Sequence, residues 1–214
     1  MVRLSQDENP SRGGRGKLYV YALSASPRGG GNTSILLEIV RGKLEEAGLE
    51  VVVEEVGLRP VNPCLGCNRC GVTGVCVQDD RMQRIYPHLA GAGAVILAAP
   101  VFSMHLCAQA KALIDRCQRF WALKYVLGRP VVEDAEIRAG RRGLYIGTCG
   151  RDVPSTFDSL RPTLAYFYHV LEVPEWRTLQ IAGVDEAGAV RQRGGALEEA
   201  AEAGGWLARE LGAR

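Results

Sequence analysis

The feature that most constrains the fold is a regular alternation of strand-like and helix-like segments. The strand-like segments are short and apolar, and they lie at 17–24, 50–56, 94–99, 143–148 and 176–181. The helix-like segments carry apolar residues at helical spacing, and they lie at 32–47, 79–89, 106–121, 155–171 and 196–211. Strands that alternate with helices predict a parallel sheet covered by helices on both faces.

The number of strands narrows the topology. Five strands favour a doubly wound α/β fold of three layers with the strand order 2-1-3-4-5. The alternative, a six-stranded nucleotide-binding fold, needs more chain than remains. The sequence has no internal repeat and no sign of a second domain. We therefore expect one domain over 17–214 with a Cys-rich loop at 57–78, preceded by a polar, glycine-rich tail at 1–16 that we expect to be disordered.

Charge and hydropathy exclude several classes of function. The net charge of +2 is too small to draw nucleic acid or an anionic membrane surface. The most apolar stretch, 92–104, is too short to span a bilayer and contains Pro100. The first residues lack the apolar region of a secretory signal. We therefore expect a cytoplasmic protein, in which thiols stay reduced.

A cluster of cysteines is the second strong signal. Cys64, Cys67, Cys70 and Cys76 follow the pattern C-x2-C-x2-C-x5-C within the loop after the second strand. Thiolates this close together on a flexible loop can converge on one soft metal centre. In a reducing compartment, such clustering indicates metal or redox ligands rather than disulfides.

The loop after the first strand is rich in glycine and hydroxyl groups. Glycines allow close backbone approach to a ligand, and hydroxyls and the N-terminus of the next helix can hold a phosphate. No Lys precedes Thr33, so the loop is not a Walker motif, and its glycine spacing does not match G-x-G-x-x-G. It suits a monophosphate that is bound rather than transferred, as in FMN; the alternative is a tight turn with an Asn or Thr cap. The candidate residues are Ser24, Ser26, Arg28, Asn32, Thr33 and Ser34.

Two further loops should meet this one, because parallel strands present their carboxyl ends at one edge. After the third strand come Pro100, Val101, Phe102, Ser103 and Met104. Phe102 and Met104 offer apolar contacts to a flat ring. After the fourth strand, Thr148, Cys149 and Gly150 would form a third wall.

Together these motifs resemble a known family. The runs S-P-R-G-G-G-N-T-S, P-V-F and A-Q-A-K-A-L-I-D-R resemble the NADPH-dependent FMN reductase family over roughly residues 17–182. With P-C-L-G-C-N-R-C-G-V-T-G-V-C-V-Q-D-D, they resemble its iron–sulfur flavoprotein branch most. The resemblance implies a flavodoxin-like fold, bound FMN, and a homodimer or homotetramer whose interfaces help to build the site.

The resemblance also implies roles for residues. Ser26, Arg28, Asn32, Thr33 and Ser34 would hold the FMN phosphate, and 100–104 would line the flavin. Two positions depart from the family pattern. Ala25 replaces the usual Gly, which restricts the backbone, and Ser103-Met104-His105 replaces a stretch that usually contains Trp, Asn or Gly.

Three interpretations of the cysteines stay open: ligands of a [4Fe–4S] cluster, zinc ligands, or packing and redox residues without a metal. The leading hypothesis is an FMN flavoprotein with a [4Fe–4S] cluster that passes electrons from a donor, such as ferredoxin or NAD(P)H, to an acceptor, such as a quinone. The alternatives are an NAD(P)H-dependent FMN or quinone reductase without a cluster, and a flavodoxin-like binding module with structural zinc. In each case FMN, rather than a catalytic side chain, would carry any redox chemistry.

Overall fold

The computed structural model describes residues 18–212, so the predicted tail at 1–16 lies outside the described residues. In chain order, the strands are β1 (Tyr19–Ser24), β2 (Glu50–Glu55), β3 (Ala94–Ala98), β4 (Val101–Phe102), β5 (His105–Leu106), β6 (Arg142–Thr148) and β7 (Glu175–Ile181). The α-helices are α1 (Asn32–Glu46), α2 (Cys70–Thr73), α3 (Met82–Gly91), α4 (Ala108–Arg116), α5 (Gln118–Tyr125), α6 (Ala135–Gly140), α7 (Arg161–Val170) and α8 (Ala196–Gly212). Short 3-10 helices lie at Pro154–Leu160 and Ala189–Gln192.

The main sheet has the order β2-β1-β3-β6-β7, and all its neighbouring strands are parallel. Counted within this sheet, the order is 2-1-3-4-5, so the predicted doubly wound fold is confirmed. The central strand β3 is buried along its whole length, as its continuous apolar run requires. β4 and β5 form a separate antiparallel hairpin.

Helices cover both faces of the sheet and form a three-layered molecule. On one face the core includes Leu89, Leu113 and Phe167, which belong to α3, α4 and α7. On the other face it includes Leu36 of α1 and Leu207 of α8. These five helices thus bury their apolar stripes against the sheet, which accounts for the helical spacing in the sequence.

The helix predicted at 106–121 is wrong in two respects. Leu106 belongs to the hairpin, and the rest divides into α4 and α5 at Cys117. There ψ is −1°, and the Cys117 N–H is shared between the carbonyls of Leu113 and Ile114. Such tightening ends a helix, and nothing in the apolar spacing indicated it.

Other boundaries also differ from the sequence expectation. The segment predicted as helix over 155–171 begins with the 3-10 helix, and Pro162 lies in the first turn of α7, where proline is favoured. The segment 124–141, which lies outside the predicted elements, contains α6, which Asp134 caps through its side chain. Within residues 18–212, no helix combines the length and apolarity that crossing a membrane requires.

Candidate functional site

The carboxyl ends of three neighbouring strands bring the predicted binding loops together. Ser24 of β1 lies beside Ala98 of β3, and Ala98 lies beside Ile146 of β6. The Ala25 N–H donates to the Ala98 carbonyl at 2.8 Å, which continues the ladder into the first loop. Ala25 is not among the residues with positive φ, so alanine is unstrained there.

The loop after β1 ends in an open helix N-terminus. Its turn is closed by the Arg28 N–H, which donates to Ser26 Oγ at 3.2 Å. Gly31 is the N-cap of α1, and no side chain caps the first turn. Ser24 and Ser26 are buried beside it. An uncapped first turn next to buried hydroxyls offers N–H donors to an anion, and the donor set therefore fits a monophosphate.

The side chain of Asn32, one of the predicted phosphate ligands, already has partners in the fold. The Asn32 amide donates to the carbonyls of Val184 and Glu186 at 3.1 and 2.9 Å, and its Oδ1 accepts the Val190 N–H. Asn32 therefore ties the segment after β7 to α1. Its main-chain N–H, in the first turn of α1, is the group that it can offer to a ligand.

Thr33 and Arg28 connect the loop to its neighbours. Thr33 Oγ1 lies 2.8 Å from Thr148 Oγ1, which joins α1 to the end of β6. Arg28 is exposed, and its Nη1 donates to the Asp185 carbonyl at 2.9 Å. Ser34 is half-buried in the first turn of α1.

Gly57, which the sequence analysis missed, packs directly against this loop. Its N–H donates to the Ser24 carbonyl at 2.8 Å. A Cβ at this position would lie 1.9 Å from the Ser26 carbonyl oxygen, so only glycine fits. A lone glycine at the end of a predicted strand carries no local signal of this contact.

The β4–β5 hairpin forms the second wall. Its turn residues Ser103 and Met104 both have positive φ, 49° and 63°, which is unfavourable for residues other than glycine. Ser159 Oγ donates to the Met104 carbonyl and braces the turn. Phe102 and Met104 are exposed despite being apolar, whereas Pro100 and Val101 are buried.

The third wall follows β6. Thr148 and Cys149 are buried, and Gly150 is exposed. Cys149 Sγ donates to the Arg151 carbonyl at 3.1 Å, and burial raises the pKa of its thiol. The thiol is therefore protonated and hydrogen-bonded, which suits packing more than reactivity.

The four clustered cysteines line one small cavity. Cys64 and Cys67 are exposed, whereas Cys70 and Cys76 are half-buried. Burial raises the pKa of the Cys70 thiol, and the nearby thiols of Cys64, Cys76 and Cys67 raise it further. Deprotonating several of these thiols together thus requires a compensating positive charge.

Two arginines attach this loop to the helices beneath it. Arg116, at the end of α4, is fully buried, and it pairs with both oxygens of Asp80 at 2.7 and 2.9 Å. Its Nη1 also donates to the Asn62 carbonyl at 2.9 Å, and its Nη2 lies 3.5 Å from Cys76 Sγ. Arg119 Nε donates to the Gly74 carbonyl at 2.8 Å.

The sequence analysis missed the role of Arg116. Its Nε is buried and has no hydrogen-bond partner among the described residues. Burial alone would lower the pKa of Arg116, but the hydrogen bonds that it donates to Asp80 raise it, so the guanidinium stays charged. Asp80 accepts the Met82 N–H at 3.0 Å at the start of α3, but its ion pair with Arg116 had no sequence signal.

The cysteine loop contains the ligand set of a metal centre, but the cavity between the cysteines is small. Within residues 18–212, no three His, Cys, Asp or Glu residues are grouped closely enough to hold a metal ion. The cavity of about 30 Å³ has room for only one or two water molecules. By the chemistry of their donors, the four thiols and the unpaired Nε–H of Arg116 nevertheless suit an iron–sulfur cluster.

The fold and the loops at its carboxyl edge define a flavodoxin-like protein with the features of an FMN site. The sequence matches the family described as NADPH-dependent FMN reductase over residues 18–181. The chain therefore belongs to this family and is classed with FMN-dependent oxidoreductases.

Similar proteins agree with the iron–sulfur flavoprotein branch. An "Iron-sulfur flavoprotein" of Archaeoglobus fulgidus is 40% identical over 99 residues, which is 46% of this chain and 45% of that protein. A protein of the same name from Methanosarcina thermophila is 31% identical over 126 residues, 59% of this chain and 66% of that protein. The predicted branch is thereby confirmed, although the chain spans only about half the length of the first of these curated relatives.

Solved structures share the fold at low sequence identity. An NAD(P)H:quinone oxidoreductase from Methanothermobacter marburgensis has a TM-score of 0.66 at 19% identity, covering 89% of this chain and 96% of that one. An FMN-dependent NADH-azoreductase from Bacillus anthracis has a TM-score of 0.59 at 12% identity, covering 89% of this chain and 99% of that one. At these identities, the similarity shows the fold alone.

Proposed function

We propose that this chain is an FMN-dependent redox flavoprotein that also carries a [4Fe–4S] cluster and passes electrons between a donor and an acceptor. The observation that carries the proposal is the convergence of Cys64, Cys67, Cys70 and Cys76 on one cavity. Four thiolates are the usual ligand set of such a cluster. The names of the most similar relatives support the same reading.

The chain's own residues would hold and orient the flavin. FMN, when bound, supplies the redox chemistry by accepting one or two electrons. We assign its phosphate to the open N-terminus of α1 with Ser26 and Arg28, and the face of its ring to Phe102 and Met104. The phosphate would be bordered by Ser24 and Ser34. The second wall would be shaped by Pro100, Val101 and Ser103, and the third side would be closed by Thr148, Cys149 and Gly150.

The partners that fit this proposal are redox partners. Ferredoxin or NAD(P)H is the donor class and a quinone is one acceptor class, all in the reducing environment of the cytoplasm. A homodimer or homotetramer would cover exposed apolar side chains such as Val72, which is 74% exposed.

The decisive experiment is anaerobic reconstitution with iron and sulfide, followed by metal analysis and by visible and EPR spectra. We expect about four iron atoms and four sulfide ions per chain, with a broad absorption band at about 400 nm. Cys76→Ser should lower the iron content strongly. Cys117→Ala is the matched control, because the Cys117 side chain is buried in the core and does not line the cysteine cavity.

Other results would favour the alternatives. Tightly bound zinc without iron would support a binding module with structural zinc. A metal-free protein whose FMN is bleached rapidly by NADPH would support a reductase without a cluster, which the family description also favours. Bleaching by reduced ferredoxin but not by NADPH would support the electron carrier. No FMN binding on titration would contradict both flavoprotein readings.

A further inference from the structure

The contacts of Arg116 set it apart from other basic residues of the chain. Its side chain is 0% exposed, yet it lines the cavity formed by the four cysteines. A buried guanidinium is costly unless its hydrogens are paired. Asp80, Asn62 and Cys76 satisfy the two terminal nitrogens, whereas Nε has no partner among the described residues. Arg41 and Arg81 also leave Nε without a hydrogen-bond partner in the described part of the chain, but neither lines the cysteine cavity, so only in Arg116 does the unused donor belong to a residue beside the thiols.

The same residue joins both ends of the cysteine loop. Its contact with Asn62 holds the entry to the loop, and its contact with Cys76 holds the exit. Gln83 adds a hydrogen bond to the Cys76 carbonyl at 3.1 Å. The inner side of the loop is thus fixed to the core, whereas the arm with Cys64 and Cys67 is exposed.

Charge gives the contact a further consequence. Thiolate-ligated clusters become more negative on reduction, and hydrogen bonds and positive charge near their sulfur atoms favour the reduced form. Arg116 and Asp80 oppose each other in this respect, since one brings a positive charge and the other a negative charge to the same place. Removing Arg116 should therefore shift the reduction potential of the cluster in one direction, and removing Asp80 should shift it in the other.

We propose that Arg116 is a positioning residue for the metal centre of the cysteine loop: it anchors Cys76 and makes its Nε hydrogen available to the bound centre, and its pairing with Asp80 sets the local charge. This inference rests on the proposed function, since it assumes that the loop binds an iron–sulfur cluster. It adds a residue from α4, outside the cysteine motif, to the determinants of that cluster.

The test compares Arg116→Gln, Arg116→Lys and Asp80→Asn with the wild type, after anaerobic reconstitution of the full chain. We expect Arg116→Gln to lose iron to a chelator at least about tenfold faster, as is usual when an outer partner of a metal ligand is removed. We also expect its reduction potential, measured by EPR-monitored titration, to become more negative.

Asp80→Asn should make the potential more positive, because it leaves the Arg116 charge unpaired. Arg116→Lys should keep the potential closer to wild type but lose iron faster, because an ammonium lacks the guanidinium fork.

Arg84→Gln is the matched control, because Arg84 is an exposed arginine of α3 that does not line the cysteine cavity. FMN titration and circular dichroism establish that each variant is folded. If Arg116→Gln does not fold, the faster iron loss expected of Arg116→Lys and the more positive potential expected of Asp80→Asn still test the proposal. A wild-type protein that takes up no iron overturns the proposed function. A wild type that loads normally, with variants whose iron loss and potential are unchanged or shift in one common direction, overturns only the role of Arg116.

Discussion

Gly57 lies where the segment after β2 contacts the loop after β1. Replacing it by alanine would place a Cβ 1.9 Å from the Ser26 carbonyl oxygen and 2.4 Å from its carbon, both of which are backbone atoms. We expect Gly57→Ala to lower the free energy of unfolding by about 1–3 kcal/mol. Displacement of Ser26 should also raise the Kd for FMN about tenfold. Urea unfolding and fluorescence titration with FMN measure the two effects.

Gly42→Ala is the control for this substitution. Gly42 lies inside α1, and a Cβ there would meet nothing within 4 Å. Alanine should stabilise the helix by about 0.5–1 kcal/mol and leave FMN binding unchanged. Wild-type FMN affinity in Gly57→Ala would contradict the assignment of this loop to the phosphate.

The ion pair of Asp80 with Arg116 should make the stability of the fold depend on pH. Burial alone would raise the pKa of this carboxyl, but hydrogen bonds from Arg116 and the Met82 N–H hold it below its ordinary value. The pair therefore stabilises the fold fully above the ordinary pKa of about 4, and this contribution is lost as the pH falls through the lower folded value. Asp80→Asn should destabilise the metal-free protein by about 3 kcal/mol at neutral pH and by less near pH 3.

Urea unfolding at the two pH values tests this expectation. Glu45→Gln is the comparison, because Glu45 is half exposed and lies 3.6 Å from Arg41 in a surface pair. Such a pair contributes little at either pH. A loss of stability in Asp80→Asn that is the same at both pH values would show that the charge of Asp80 does not matter.

At the scale of elements, the β4–β5 hairpin combines an unfavourable backbone with exposed apolar side chains. Two adjacent positive φ values suit a two-residue turn, for which Asn-Gly is the preferred sequence, rather than Ser-Met. Strained backbone of this kind tends to be retained where a ligand is bound. The double variant Ser103→Asn/Met104→Gly should therefore raise the free energy of unfolding by about 1 kcal/mol while it weakens FMN binding.

The single variant Ser103→Asn separates the two effects. It retains the Met104 side chain, so it should gain part of the stability and keep the FMN affinity of the wild type. Denaturant unfolding of the FMN-free protein and FMN titration are again the measurements. Equal FMN affinity in both variants would remove Met104 from the proposed flavin contacts.

At the scale of the whole molecule, exposed apolar side chains collect on the cysteine loop. Leu65, Val72, Val75 and Val77 are each between 48% and 74% exposed. A grouping of this kind marks a surface that another protein covers. We expect the protein in solution to have a mass that is a multiple of the 23.2 kDa chain.

A charge placed in this surface tests the expectation. Val72→Asp should shift the protein toward the mass of one chain in light scattering at the same concentration. Gln192→Asp adds the same charge at an exposed position outside the loop and should leave the mass unchanged. A wild type with the mass of a single chain would contradict the oligomer.

Much of the fold could be predicted because its signals are local. A continuous apolar run such as β3 indicates a central strand, and connections between parallel strands have one preferred hand, which leaves few orders for five strands. Helix boundaries were less predictable. The break at Cys117 lies between Arg116 and Arg119, which both contact the cysteine loop, and apolar spacing continues across it.

The sequence by itself determined the layers, the strand order, the loops at the carboxyl edge and the presence of four clustered thiols, because periodicity and spacing along the chain encode all of these. Only the tertiary structure decided which distant groups meet. Arg116 reaches Asp80 across 36 residues and Asn62 across 54, and Asn32 reaches Val184 across 152. Such contacts depend on the packing of whole elements, so no local pattern of residues announces them. The cysteine loop accordingly gains a buried arginine partner that its own motif does not contain.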